Sequence, residues 1–182
     1  MYHVLEGKPL NASGGINFSG NSGYSGEFFE GSRVTSGKIL VNLECEKTDL
    51  PDYFELFCTP VVGSEFIDLL SAVCPDRFQS VPAEVRFENS TVCGYHVLNV
   101  LKKIPALDME NTVGNKFKNK FIRMKHMKID DRISDMSFPM FRLAEFPTII
   151  IINDDIRMRI ESRGFSGTII MDADGWSDSH RF

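Results

Sequence analysis

Cys93 and His96 stand three residues apart, a spacing that zinc ligands use. The segment around them, "GYHVLNV" from Gly94, reads as a strand, and on an extended chain odd and even positions face opposite sides. The two side chains then diverge, and no second pair completes a set of four ligands. "DADGWSD", from Asp172 to Asp178, has the look of a calcium loop. Aligned on Gly175, however, its first position falls on Ile170 and its twelfth on Arg181, where oxygen ligands are required. "GSRVTSGK", from Gly31 to Lys38, has one residue too many for a phosphate loop, and Ile39 stands where a hydroxyl would meet magnesium. No metal and no cofactor is expected.

Asp108 and Glu110 have the types for paired acid–base chemistry, although such a pair more often opens a loop or a helix. The four histidines are His3, His96, His126 and His180, two of them near the ends, and no nucleophile-elbow pattern occurs. A Cys–His or Ser–His pair formed in space stays open, because its partners need not be neighbours in sequence. Lys116, Lys118, Lys120, Arg123, Lys125 and Lys128 form a basic stretch. It has the charge to touch phosphate, but a solvated face complementing Asp130, Asp131 and Asp135 fits the negative total better.

That total is −5 over 182 residues, with a pI near 5.4. A nucleic-acid binder would show a basic field, so no nucleic-acid partner is expected, whereas a basic protein partner is compatible. The N-terminus has no basic segment followed by an apolar one, and the longest aliphatic run is Ile149 to Ile152. That is far short of the roughly 20 residues a spanning helix needs, so no membrane partner and a cytoplasmic location are expected. Cys45, Cys58, Cys74 and Cys93 contain no CxxC and are read as reduced thiols.

The elements that position these residues follow from periodicity. Pro60 to Phe87 and Pro147 to Met171 each read as an apolar strand, a polar cap, a short helix, a turn and a second strand, one unit written twice. Ser64 is the expected cap of the first helix, whose stripe is Phe66, Ile67, Leu69, Leu70 and Val73, and Pro75 stops it. Asn153 or Asp154 caps the second, and Gly164 suits a left-handed end. Ile39, Val41 and Leu43 share one face of a strand, as do Ala83, Val85 and Phe87. Tyr2 to Leu5 opens the chain as a strand. Ile104 to Asn115 is expected to be a loop, and Phe117 to Ile129 a strand. Most of the 14 glycines lie before residue 38 among Asn and Ser, where Phe18, Tyr24, Phe28 and Phe29 would pin a long loop to the body. The expected architecture is α+β: a mostly antiparallel sheet with two or three packed helices and a glycine-rich N-terminal module. Residues 1–60 would form that module and 61–182 the main domain.

Five features in order resemble one family. They are the helix at Ser64 to Leu70, the strand "YHVLNV" at Tyr95 to Val100, and "LDMENT" at Leu107 to Thr112. Phe141-Arg142-Leu143 follows, and last comes the closing helix and Gly-rich turn from Asp154 to Thr168. Together they resemble a bacterial immunity-protein family of polymorphic toxin systems, over Ser64 to Trp176. The family's closing helix usually starts after Ser, and here Asn153-Asp154-Asp155 does that work.

The resemblance implies a non-enzymatic cytosolic inhibitor that binds a cognate toxin, a basic one if acidic groups mimic a substrate's phosphates. On charge and exposure the implied contacts are Asp108, Glu110, Asp130, Asp131, Asp154 and Asp155, with Trp176 as an aromatic anchor. Two other classes stay open: a small hydrolase-type enzyme with a pocket at His96, Cys93 or Asp108, and a ligand-binding module with an open apolar groove. The residues do not reveal the oligomeric state.

Overall fold

The isoleucine run before Asn153 marks the middle of the molecule. A computed structural model describes residues 1–8, 10, 13–18, 25–35, 37–46, 49–134, 136 and 138–180, with backbone alone at 18, 25, 26, 134 and 180. Ile149 and Ile151 enter one apolar cluster, and Ile150 and Ile152 enter another. Side chains alternate across a strand, so a strand buried on both faces must be apolar at every position.

In chain order the elements are β1 (Tyr2–Gly7), β2 (Gly14–Phe18), β3 (Ile39–Leu43), β4 (Tyr53–Leu56), β5 (Thr59–Gly63), α1 (Ser64–Val73), β6 (Phe78–Arg86) and β7 (Thr91–Val100). There follow β8 (Lys103–Ile104), β9 (Val113–Phe117), β10 (Lys120–His126), α2 (Asp131–Ser134), β11 (Met140–Leu143), β12 (Ile150–Asn153), α3 (Asp154–Arg163) and β13 (Thr168–Asp172). One sheet runs β13-β1-β12-β11-β8, the other β2-β3-β6-β7-β5-β4, and β9 with β10 forms a separate hairpin. Pairing is antiparallel except for β3 with β6 and β8 with β11. The α+β class and the mostly antiparallel pairing therefore stand, in two sheets and a hairpin rather than one sheet.

The strands alternate between three apolar layers. Leu5, Ile150 and Ile152 face Tyr53, Val62, Leu98 and Val100 of the other sheet, with α1 and α3 contributing Phe66, Leu70, Ile156 and Ile160. On the far side of the first sheet, Val4, Phe141 and Ile151 pack with Phe121, Met124 and Met127 of the hairpin region. On the far side of the second, Phe54, Val61 and Val97 pack with Ile39, Val41 and Val85. Burying each such side chain stabilises the fold by about 1.5–3 kcal/mol, which is ample reason for the register to hold.

The unit read twice in sequence is present twice. In β5–α1–β6 both strands run antiparallel to β7, which lies between them. In β12–α3–β13 both run antiparallel to β1, which lies between them in the same way. The middle strand follows the first unit in sequence, whereas for the second it arrives from the N-terminus.

Capping of the two helices differs. Asn153 accepts a hydrogen bond from the Ile156 N–H at 3.1 Å, and Gly164 closes α3 at φ 67°. At α1 the cap position is Gly63, and Ser64 is already helical. The Ser64 hydroxyl donates instead to the Gly94 carbonyl at 2.9 Å, because the pairing of Gly63 with Tyr95 brings that carbonyl beside it. This corrects the expected Ser64 cap.

The segment Ile104 to Asn115 holds a turn at Asp108, and its ends belong to β8 and β9. The first sixty residues supply strands to both sheets, and the boundary set at residue 60 falls within β5. Phe28 is buried, and Phe29 stacks on the Arg142 guanidinium at 4.9 Å, anchoring this part of the loop. Tyr24, Asp135 and the Phe18 side chain lie outside the described residues.

Candidate partner-binding surface

Most of the expected acidic contacts are engaged within the chain. Asp108 organises a turn: one carboxylate oxygen accepts from the Glu110 and Asn111 N–H groups at 3.0 and 3.1 Å, and the other from the Asn111 amide at 2.7 Å. The Asn111 side chain leads in holding its carboxyl below the usual range. Asp130 binds the Arg132 guanidinium, which holds that carboxyl at about 2. Asp155 takes the Arg159 Nε at 3.1 Å one helical turn away. Asp154 takes the N-terminal ammonium at 2.7 Å and His3 Nε2 at 2.8 Å, and the ammonium leads in holding its carboxyl at about 2. Glu110 is exposed, and the Asp131 side chain is 95% exposed, 3.8 Å from Lys128 Nζ.

Trp176 is 4% exposed and packs beside Phe146, with ring centroids 6.3 Å apart. The expectation of a surface anchor there is corrected. The Met127 N–H donates to the Trp176 carbonyl at 2.9 Å, which ties the tail under the hairpin and buries the indole.

Asp108, Asp130 and Asp131 come together around Lys128 and Arg132, where Leu107 bridges Ile129 at the root of the hairpin. Asp174 joins them by accepting from Lys128 Nζ at 2.6 Å and the Ile129 N–H at 2.9 Å. A cavity of about 160 Å³ beside them is lined by Met1, Ile129, Asp131, Asp172 and Asp174. Asp155 lies apart on α3, whose Arg159 and Arg163 border a groove of about 450 Å³ against Glu65 and Asp68 of α1.

The hairpin above this root has the opposite sign. Lys116, Lys118, Lys120, Arg123 and Lys125 are exposed, and residues 113–126 contain no carboxylate. Phe121 and Met124 turn inward to the core. Val113, Phe117 and Ile122 are 54%, 64% and 63% exposed. Lys118, at φ 54°, forms the two-residue tip with Asn119, and its ammonium lies over the Phe117 ring at 5.7 Å. Among the described residues β9 pairs only with β10. The other edge of β10 is closed, since the Phe121 N–H donates to the Glu145 carbonyl at 2.7 Å and the Met124 N–H to Asp178 at 3.1 Å. The sequence signal for this arm was the interleaving of lysines with Phe117 and Ile122.

His96 is placed between two hydroxyls: Ser80 Oγ is 2.7 Å from Nδ1 and Ser64 Oγ is 3.3 Å from Nε2. Burial pushes its pKa down. The Ser64 hydroxyl proton goes to the Gly94 carbonyl, so the imidazole donates from Nε2 and accepts the Ser80 proton at Nδ1. The Ser80–His96 pair has nucleophile–base geometry, but Ser64 stands where a carboxylate would steady an imidazolium. Among the described residues no group of three or more His, Cys, Asp and Glu could hold a metal ion, and no helix is long and apolar enough to cross a membrane.

The profile of the Immunity protein family (Imm11) matches residues 21–174. The chain belongs to this family. The Imm11 match begins well before Ser64, so β3 and β4 belong to the family region as fully as the five features that resembled it. It also takes in the hairpin and its acidic root, while β1 lies outside it. No curated protein matches this Imm11 member.

Proposed function

We propose that this chain neutralises a cognate bacterial toxin by stoichiometric protein–protein contact in the cytoplasm, without chemistry of its own. Its membership of the immunity family over residues 21–174 carries this reading. Two surface features support it. The acidic group Asp108, Glu110, Asp130 and Asp131 stands beside an arm with exposed apolar and basic side chains, a mixture suited to an interface core with a charged rim. Asp154 and Asp155 belong to the reading as further charges of the rim, each paired within the chain as Asp130 is.

The test is coexpression with the toxin encoded beside the chain. The expected result is an equimolar complex and restored growth. Unrelieved growth arrest with no complex overturns the reading. His96→Ala separates the hydrolase alternative: an inhibitor keeps its protection, whereas an enzyme loses protection without losing the complex.

A further inference from the structure

We infer that the β9–β10 hairpin is the arm that grips the toxin, and that it fits an acidic protein surface with an apolar recess for Phe117. This rests on the inhibitor reading above and names the face that does the binding. Three observations converge on the hairpin. It concentrates five cations in residues 113–126 of a chain whose net charge is −5. Residues 113–126 carry no carboxylate of their own, and with Glu30 outside the arm acting on Lys120 the excess is still basic, so the complementary surface is negative. Large apolar side chains of Val113, Phe117 and Ile122 stand in water among those cations, while the same ribbon buries Phe121 and Met124 beneath. An aromatic ringed by long charged side chains is the composition of a binding hot spot with its rim. The outer edge of β9 adds main-chain groups that an incoming strand can pair with.

A nucleic acid would also answer to basic and aromatic groups. The protein occupant is favoured by the outer edge of β9. An edge that no other described strand pairs with, flanked by β-branched and aromatic side chains, matches a polypeptide, not a sugar–phosphate chain.

The experiment uses the full chain and the toxin polypeptide encoded beside it. Equilibrium binding and growth protection are measured for the wild type, Phe117→Ser, the reversal Lys118→Glu/Lys120→Glu/Lys125→Glu, and Met158→Ser on α3, which removes another exposed apolar group elsewhere. The expected result is a loss of affinity of about tenfold or more for the two hairpin variants, with Met158→Ser unchanged. The wild-type complex should weaken as salt rises, and the reversal variant should lose that dependence. All variants should unfold at the wild-type temperature, because the substituted side chains are exposed. Wild-type binding with hairpin variants that bind and protect equally well overturns the hairpin and leaves the inhibitor reading intact. A wild-type chain that neither binds nor protects overturns the inhibitor reading, and the hairpin assignment goes with it. Tight binding of a 20-mer single-stranded or duplex oligonucleotide, lost in the reversal variant, replaces the acidic protein with nucleic acid.

Discussion

Nε2 of His3 lies 2.8 Å from Oδ1 of Asp154, joining the first strand to the first residue of the last helix. The other ring nitrogen lies 3.1 Å from an Asp172 oxygen, and the N-terminal ammonium lies 2.7 Å from the second Asp154 oxygen. The imidazole is buried, with its side chain 3% exposed. This polar clasp closes over β1 where it fills the slot between β12 and β13. Asp154→Asn is expected to cost about 1 kcal/mol, a modest figure because the carboxylate is partly solvated. The pH dependence has a definite sign. A carboxyl held at about 2, below the ordinary 3.8, stabilises the fold above pH 3.8, and that contribution disappears as pH falls through about 2. Denaturant midpoints of wild type and Asp154→Asn should differ at pH 6 and converge near pH 2.

Gly167 and Gly164 both have positive φ, at 82° and 67°, yet their surroundings differ. A Cβ on Gly167 would overlap the Tyr53 carbonyl oxygen and lie 2.6 Å from Pro51 Cβ, whereas one on Gly164 meets nothing within 4 Å. Gly167 is where the α3–β13 connection crosses β4, with the Tyr53 N–H donating to the Ser166 carbonyl at 3.1 Å. Gly167→Ala should cost about 3 kcal/mol or more, and Gly164→Ala about 1 kcal/mol, as read from chemical unfolding.

Phe121 and Phe117 are on neighbouring strands of one hairpin with opposite fates. Phe121 is 4% exposed and carries the Lys116 ammonium 4.6 Å over its ring, while Phe117 faces solvent. Phe121→Ala should destabilise by about 3–5 kcal/mol. Phe117→Ala should change stability by less than about 0.5 kcal/mol. Thermal denaturation of the two variants measures the contrast.

Cys74 and Cys93 should separate in thiol chemistry. Burial pushes the Cys74 thiol up to about 11, against an opposing effect of Arg77, while Cys93 is exposed. At pH 8 a thiol reagent should label Cys93 in the native protein and reach Cys74 only on unfolding. Labelling followed by peptide mapping reports both sites.

The twice-written strand–helix–strand unit was legible because its signals are local. Ile149 to Ile152, Asn153 and Gly164 mark a buried strand, a cap and a left-handed end within 16 residues of one another. The face shared by Ile39, Val41 and Leu43 was legible for the same reason, as strand period needs no distant partner. Ser64 misled because its type fits a cap, while the neighbouring strand offered its hydroxyl a better acceptor in the Gly94 carbonyl. Trp176 misled because its charged neighbours Asp174 and Asp178 suggest an exposed anchor, and only the hairpin folding over it makes the site apolar. Asp108, Asp130 and Asp155 find partners within four residues, whereas those of Asp154, Met1 and His3, lie far off in sequence.

By itself the sequence determined the α+β class, the repeated unit, and the membership of the immunity family. Each is written in short-range period, capping chemistry and residue type. Tertiary structure alone decided that β1 lies between β12 and β13, that the indole of Trp176 is inside, and that the basic hairpin stands out bare above an acidic root. Those outcomes depend on which distant surfaces exclude water together, and a linear charge total averages over them.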